Sequence, residues 1–373
     1  MPYAELSFVK HRVRPGAPLP FNVRDADRTL LLARGQRIET LEQMDALLRR
    51  GALVDLAELL SLREAVKAAP REQLPRLWAG CLHQVSQALL AEPENGFQAT
   101  LDEASAPVQA LIERDPDLAI FQVLQQQPGA DTAYGAQRSL QTAITGFLVA
   151  QRLGWESEQC ARLFKVALTM NLSMLELQGQ LARQATAPTP AQRAALQTHP
   201  MRSVRMLQQA GVEDEAWLHA VLHHHEQEDG GGYPSGRTDI DELASLARRA
   251  DVYTSKLSAR SNRDALAADQ AGRQMFMQDP GHPMTAALVK EFGIYPPGCY
   301  VRLASGELAI VVARGATITA PVVACLTNAR GMPLLQPERR HTDNPVNAVK
   351  RVVVEREAPV RLPLDRLAAL VIA

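Results

Sequence analysis

The sequence predicts a mainly α-helical protein with a small α+β module ahead of the helices and a β-rich extension behind them. Three observations carry this reading. Residues 134 to 290 form the longest region of helical spacing, interrupted at Pro188-Thr189-Pro190 and at Gly230 to Gly232. Before it, a Gly/Pro-rich opening, Pro15-Gly16-Ala17-Pro18-Leu19-Pro20, leads into short extended runs. After it, Leu308-Ala309-Ile310-Val311-Val312 has the composition of a strand.

In chain order, Phe21-Asn22-Val23 and Thr29-Leu30-Leu31-Leu32 read as strands, Ala33-Arg34-Gly35-Gln36 as a turn, and Ile38 to Leu48 as a helix. These make the N-terminal module, residues 1–56. From Leu56 to about Leu124 the pattern is mostly helical, with breaks at Pro70, Pro75 and the Pro93-Glu94-Asn95-Gly96 turn, and with a new helix opened by Asp115-Pro116. This stretch is a helical connector over 57–129, closed by the Gln127-Pro128-Gly129 linker. The main helical domain is placed at 130–292. Beyond Gly293 come Tyr295-Pro296-Pro297-Gly298, alternating Val301 and Leu303, a Ser305-Gly306 turn, and further runs at Val322-Val323 and Val352-Val353-Val354, so 293–373 is read as a β-rich extension. No internal repeat is visible.

Composition narrows the function classes. The chain has 373 residues, 46% of them hydrophobic and 22% charged, which is ordinary for a globular protein of two or three domains. A formal net charge of −1 gives no overall attraction to nucleic acid or to an acidic membrane. Cys81, Cys160, Cys299 and Cys325 have neither CxxC nor zinc-type spacing and read as reduced thiols. The first residues lack an apolar signal-like core and no run reaches membrane-spanning length, so the expectation is a cytoplasmic protein without a membrane span.

The densest chemistry is the block His224-His225-Glu226-Gln227-Glu228-Asp229-Gly230-Gly231-Gly232-Tyr233-Pro234, which joins two adjacent imidazoles to a glycine-rich turn. It resembles the signature of the HD-GYP phosphohydrolases and departs from it only at Gln227, where Arg or Lys is usual. The resemblance covers roughly residues 130 to 312 and implies an HD-type helical bundle. It also implies an activity, cleavage of cyclic di-GMP at a site with two or three metals. Two cations about 3.5–4 Å apart lower such a barrier by generating hydroxide and neutralising phosphoryl charge, and a carboxylate bridges them.

The resemblance fails where that chemistry begins. In Tyr134-Gly135-Ala136-Gln137-Arg138-Ser139 the family's first histidine is Arg138, and a guanidinium cannot ligate a cation. The HD pair and its following lysine are expected in Ala167-Leu168-Thr169-Met170-Asn171-Leu172-Ser173-Met174, where they read Met170, Asn171 and Met174. A thioether is a poor ligand for iron or manganese, and a carboxamide lacks the charge for bridging. Met170 and Met174 are expected to fill core volume.

Other positions persist. By resemblance, His199 in the His199-Pro200 helix (with Val204 and Leu207 on one face), His224, His225 and Asp251 are residual metal ligands, for none or one weakly held divalent ion of the iron or manganese class. Outside a metal site, Asp251 would pair with Arg248 or Arg249. Arg260 and Arg263 match the family's phosphate-binding basic residues and, three apart on a helix, would share a face. Gly230, Gly232, Tyr233 and Pro234 form a loop that the resemblance links to diguanylate cyclase (GGDEF) domains. The expectation is a catalytically degenerate HD-GYP protein in cyclic-di-GMP-linked signalling, a nucleotide sensor or interaction module with no confident catalytic residue. Its rival is an active metal-dependent phosphodiesterase with a reduced site.

Overall fold

A computed structural model describes residues 3–55, 61–91, 96–125, 131–261, 263–354, 358, 360 and 362–373. Pro93-Glu94-Asn95 and the Gln127-Pro128-Gly129 linker lie outside the described residues. The chain divides into two compact units, Met1–Ala69 and Pro70–Ala373.

In the first unit, strands β1 (Tyr3–Glu5), β2 (Val23–Arg24), β3 (Leu30–Leu32) and β4 (Leu53–Asp55) form an antiparallel sheet in the order β1-β4-β2-β3. Helix α1 (Leu41–Arg49) begins at Thr40, whose hydroxyl accepts from the Gln43 amide while the Gln43 side chain reaches back. A second capping box, Ser61 with Glu64, opens α2 (Leu62–Ala68). Leu6, Phe21, Val23, Ile38, Met44 and Val54 close the core of this unit.

The second unit is mainly helical. Helices α3 (Leu74–Leu90), α4 (Phe97–Arg114) and α5 (Pro116–Leu124) pack with α6 (Asp131–Arg152), so of the helices in the stretch read as a connector these three lie within this unit and α2 lies in the first. Pro75 does not break a helix: it sits in the first turn of α3, where its missing N–H has no intrahelical partner to lose. Asp115 caps α5 by accepting from the Leu118 amide. Then follow α7 (Ser157–Thr169), α8 (Leu175–Arg183), α9 (Pro190–Gln209), α10 (Glu215–His223), α11 (Glu242–Leu257), α12 (Ala268–Gln278) and α13 (Pro283–Phe292). Helix α6 is their centre, buried along most of its length and packed against α7, α8 and α11. Its approach to α8 depends on glycine: a Cβ on Gly135 would lie 2.3 Å from the Leu175 carbonyl oxygen, and one on Gly179 would lie 2.3 Å from the Asp131 Cα.

The β-rich extension is a five-stranded antiparallel sheet of β5 (Tyr300–Leu303), β6 (Leu308–Ala313), β7 (Val322–Thr327), β8 (Pro333–His341) and β9 (Val349–Val353), ordered β8-β7-β6-β5-β9. The final helix, α14 (Leu364–Ile372), packs on α5, α3 and β6. Arg314, just past β6, donates to Asp117 at 2.5 Å and Glu291 at 2.6 Å, and Arg152 donates to the same Glu291, so charge ties the sheet to three helices. All four cysteines are free and buried. Among the described residues, no helix is long and apolar enough to cross a membrane.

Candidate functional site

Three imidazoles meet between α9 and the end of α10. The ligand nitrogens of His199, His224 and His225 all lie within 4.8 Å of one another, with His199 and His224 buried and His225 half-buried. Local backbone chemistry aims two of them. Pro200 has no N–H to give the Leu196 carbonyl one turn back, so that oxygen is free inside α9, and His199 Nδ1 donates to it at 2.6 Å. Helix α10 ends at His223, leaving its last carbonyls without helical donors, and His224 Nδ1 donates to one of them, Val221 O, at 2.7 Å.

These bonds fix the tautomer, because a carbonyl oxygen only accepts. Burial first, then the neighbouring imidazoles, push His199, His224 and His225 down to about 3, so all are neutral near pH 7. The two Nε2 atoms of His199 and His224 therefore carry lone pairs, and they face each other at 3.2 Å. Facing lone pairs repel unless a cation lies between them. Two nitrogens each about 2.1 Å from one ion stand about 3.0–3.4 Å apart across octahedral to tetrahedral angles. The donor set thus fits one divalent cation, with each Nδ1–H anchored as a metal-bound imidazole requires.

The remaining sequence-expected ligand, Asp251 on α11, is engaged elsewhere. Its carboxylate is paired neither with Arg248 nor with Arg249; it accepts from Arg138 Nη2 at 3.1 Å. Arg138, on α6 and only 4% exposed, also donates to the Asp251 carbonyl at 3.3 Å and to Ser258 Oγ at 3.2 Å. Burial lowers the pKa of the guanidinium and Asp251 opposes that shift. Arg248 instead donates to Gln227 Oε1 at 2.8 Å, and Arg249 binds Glu228 and Asp279.

Met170 is fully buried, and Asn171, 2% exposed, holds its Oδ1 without a hydrogen-bond partner. Met174 lines a cavity of about 270 Å³ together with Tyr134, Arg138, His199, Asp251 and Arg260. Gln178, His225 and Tyr233 also reach this cavity. Arg260 and Arg263 do not share a helix face. Helix α11 stops at Leu257, and the two residues close a tight turn by exchanging backbone hydrogen bonds of 2.8 and 3.0 Å. Arg263 Nη2 donates to the Ser255 carbonyl at 2.6 Å and Arg260 Nη2 to the Ser255 hydroxyl at 3.1 Å.

The glycine-rich loop is built onto the histidine cluster. The Tyr233 ring stacks on His225 with centroids 4.6 Å apart and planes 20° off parallel. A Cβ on Gly232 would come within 2.4 Å of the Glu226 Cα, so the loop closes there only with glycine. Glu226, fully buried, accepts from the Ser235 amide at 2.6 Å and the Arg237 amide at 3.2 Å. Sequence reasoning passes over Glu226 and Gln178. A buried acid directly after two histidines is the signal for the first; nothing in the sequence marks the second.

Residues 125–278 match the family model described as HD domain. A cyclic di-GMP phosphodiesterase of Pseudomonas aeruginosa is 36% identical over 138 residues, which are 35% of this chain and 33% of that protein. The chain therefore spans about a third of the length of the curated relative it matches. Among solved structures, an HDG"Y"P protein from Bdellovibrio bacteriovorus aligns with 77% of this chain and 97% of its own at 15% identity and a TM-score of 0.49.

Proposed function

We propose, from the HD domain at residues 125–278, that this chain acts in cyclic-di-GMP-linked signalling as a catalytically degenerate HD-GYP module that binds nucleotide without turning it over. The observation that carries this is the Arg138–Asp251 pair: one family ligand position holds a cation and the acid that would face it is spent on that cation. With Met170 and Asn171 uncharged, the remaining imidazole set serves one ion. A single dication, when bound, supplies Lewis acidity and a lowered water pKa but not the clamp on both attacking and leaving oxygens. Arg260 lines the cavity and is the phosphate contact in this reading, while Arg263 holds the turn that carries it.

The half-buried Tyr233, stacked on His225, favours a nucleotide sensor over an adaptor. The exposed rim Pro234–Gly236 is the surface available to a GGDEF partner. A second reading rests on the facing Nε2 atoms, which support a retained ion and hence a slow mononuclear phosphodiesterase. One experiment separates the two. Cyclic di-GMP is incubated with the purified chain and excess Mn²⁺ or, anaerobically, Fe²⁺, beside elemental analysis. The expected outcome is at most one metal per chain and no turnover; turnover abolished by His224→Ala establishes the second reading.

A further inference from the structure

We infer that Arg138 is a fixed cationic ligand group, holding phosphate in the cavity where an HD-type centre would use a second metal ion. The inference rests on the nucleotide-binding reading above and names the chemistry of its ligand. Arg138 is locked from two directions, by Asp251 and by Ser258, so its guanidinium loses little freedom on meeting an anion. Those bonds do not exhaust five N–H donors. A planar guanidinium with spare donors is matched to phosphate oxygens.

Charge points the same way. The cavity is lined by two guanidiniums, Arg138 and Arg260, against the single carboxylate of Asp251, so it is net positive before any ion joins the histidines. Tyr134 and Gln178 stand among the lining residues, but the Tyr134 hydroxyl and Gln178 Oε1 are themselves closed off within the protein and offer nothing to a ligand. The ligand class is therefore set by the guanidiniums, a phosphate group or a phosphate monoester. At about 270 Å³ the cavity takes a nucleoside-monophosphate-sized portion rather than a whole cyclic dinucleotide.

The test is calorimetry on the full chain loaded with Mn²⁺, titrated with inorganic phosphate, guanosine monophosphate and cyclic di-GMP, with metal content measured in parallel. Arg138→Gln is expected to weaken phosphate and monophosphate binding about tenfold or more at unchanged metal content. Arg138→Lys should keep affinity within several-fold. If Arg138→Gln does not fold, Ser258→Ala carries the test, since it keeps the charge but loosens the guanidinium, and a loss of about threefold or more is expected. Phosphate binding that is absent in the parent chain, or equal in parent and variants, overturns the inference. Arg138-dependent binding of the monophosphate without any binding of cyclic di-GMP sustains it and removes the cyclic-di-GMP reading instead.

Discussion

At the scale of single residues, the site depends on groups that ligate nothing. Glu226 holds two loop amides from a fully buried position, so Glu226→Gln turns one acceptor into a donor facing a donor. A loss of about 1–3 kcal/mol is expected, read as a lower urea midpoint. Gly232→Ala forces a methyl into the backbone of Glu226 and Gln227 and should cost at least the roughly 1–3 kcal/mol of ordinary overpacking. Because Tyr233 follows directly, that variant should also lose the ordered ring current on His225 in proton NMR. Much of this site was legible in the sequence: His199, His224 and His225 do converge. The partner of Asp251 was not, because Arg138 lies 113 positions away and only the packing of α6 on α11 brings them together. Nor was the turn at Arg260, since helical spacing alone does not reveal that the backbone bonds itself after Leu257.

At the scale of elements, helices with strong apolar periodicity and clear caps follow the sequence, as do the apolar strands β3, β6, β7 and β9, whereas β1, β4 and β8 do not. Strand β8, Pro333–His341, carries exposed residues along most of its length, and its register with β7, not its composition, makes it a strand. The short β1 exists only through its three paired residues on β4, which itself pairs also with β2. Final helix α14 is amphipathic but sits in a region otherwise β-rich. One contact between elements invites measurement. Arg314 joins Asp117 of α5 to Glu291 of α13, and Glu291 is only 8% exposed at its side chain. Arg314→Ala should cost about 2–3 kcal/mol, less than removal of a partner from a fully buried pair because the arginine is partly solvated. Thermal unfolding followed by circular dichroism checks the size. Hydrogen exchange should show the added opening in β6 and β7 before α6.

At the scale of the whole molecule, the histidine cluster makes folding sensitive to acid. The folded-state values near 3 lie below the ordinary histidine value of 6.5, so the unfolded chain binds protons that the folded chain refuses. The contribution is fully present above about pH 6.5 and is lost as pH falls toward 3. Three such protons give a slope of up to about 4 kcal/mol per pH unit within that window. Urea denaturation at pH 7, 6 and 5 should show the decline, and His224→Asn should flatten it. Loading Mn²⁺ at pH 7 should raise the midpoint, and chelation should reverse the gain.

The lock between Arg138 and Asp251 also shapes which variants of this chain can be reached by mutation. Arg138→His alone strips Asp251 of its cation. Met170→His alone sets an imidazole in a fully closed core position, and Asn171→Asp alone places a carboxylate where the present side-chain oxygen already lacks a donor. Leaving a charge buried and unpaired costs on the order of 3–5 kcal/mol, a large share of a domain's stability. Only the triple change supplies ligands that could satisfy one another. The three positions are therefore epistatic in sign: each step is harmful alone and tolerable only in company. A random library screened one substitution at a time should return no variant with two metals per chain, whereas the combined Arg138→His, Met170→His, Asn171→Asp protein is the one expected to gain the second ion.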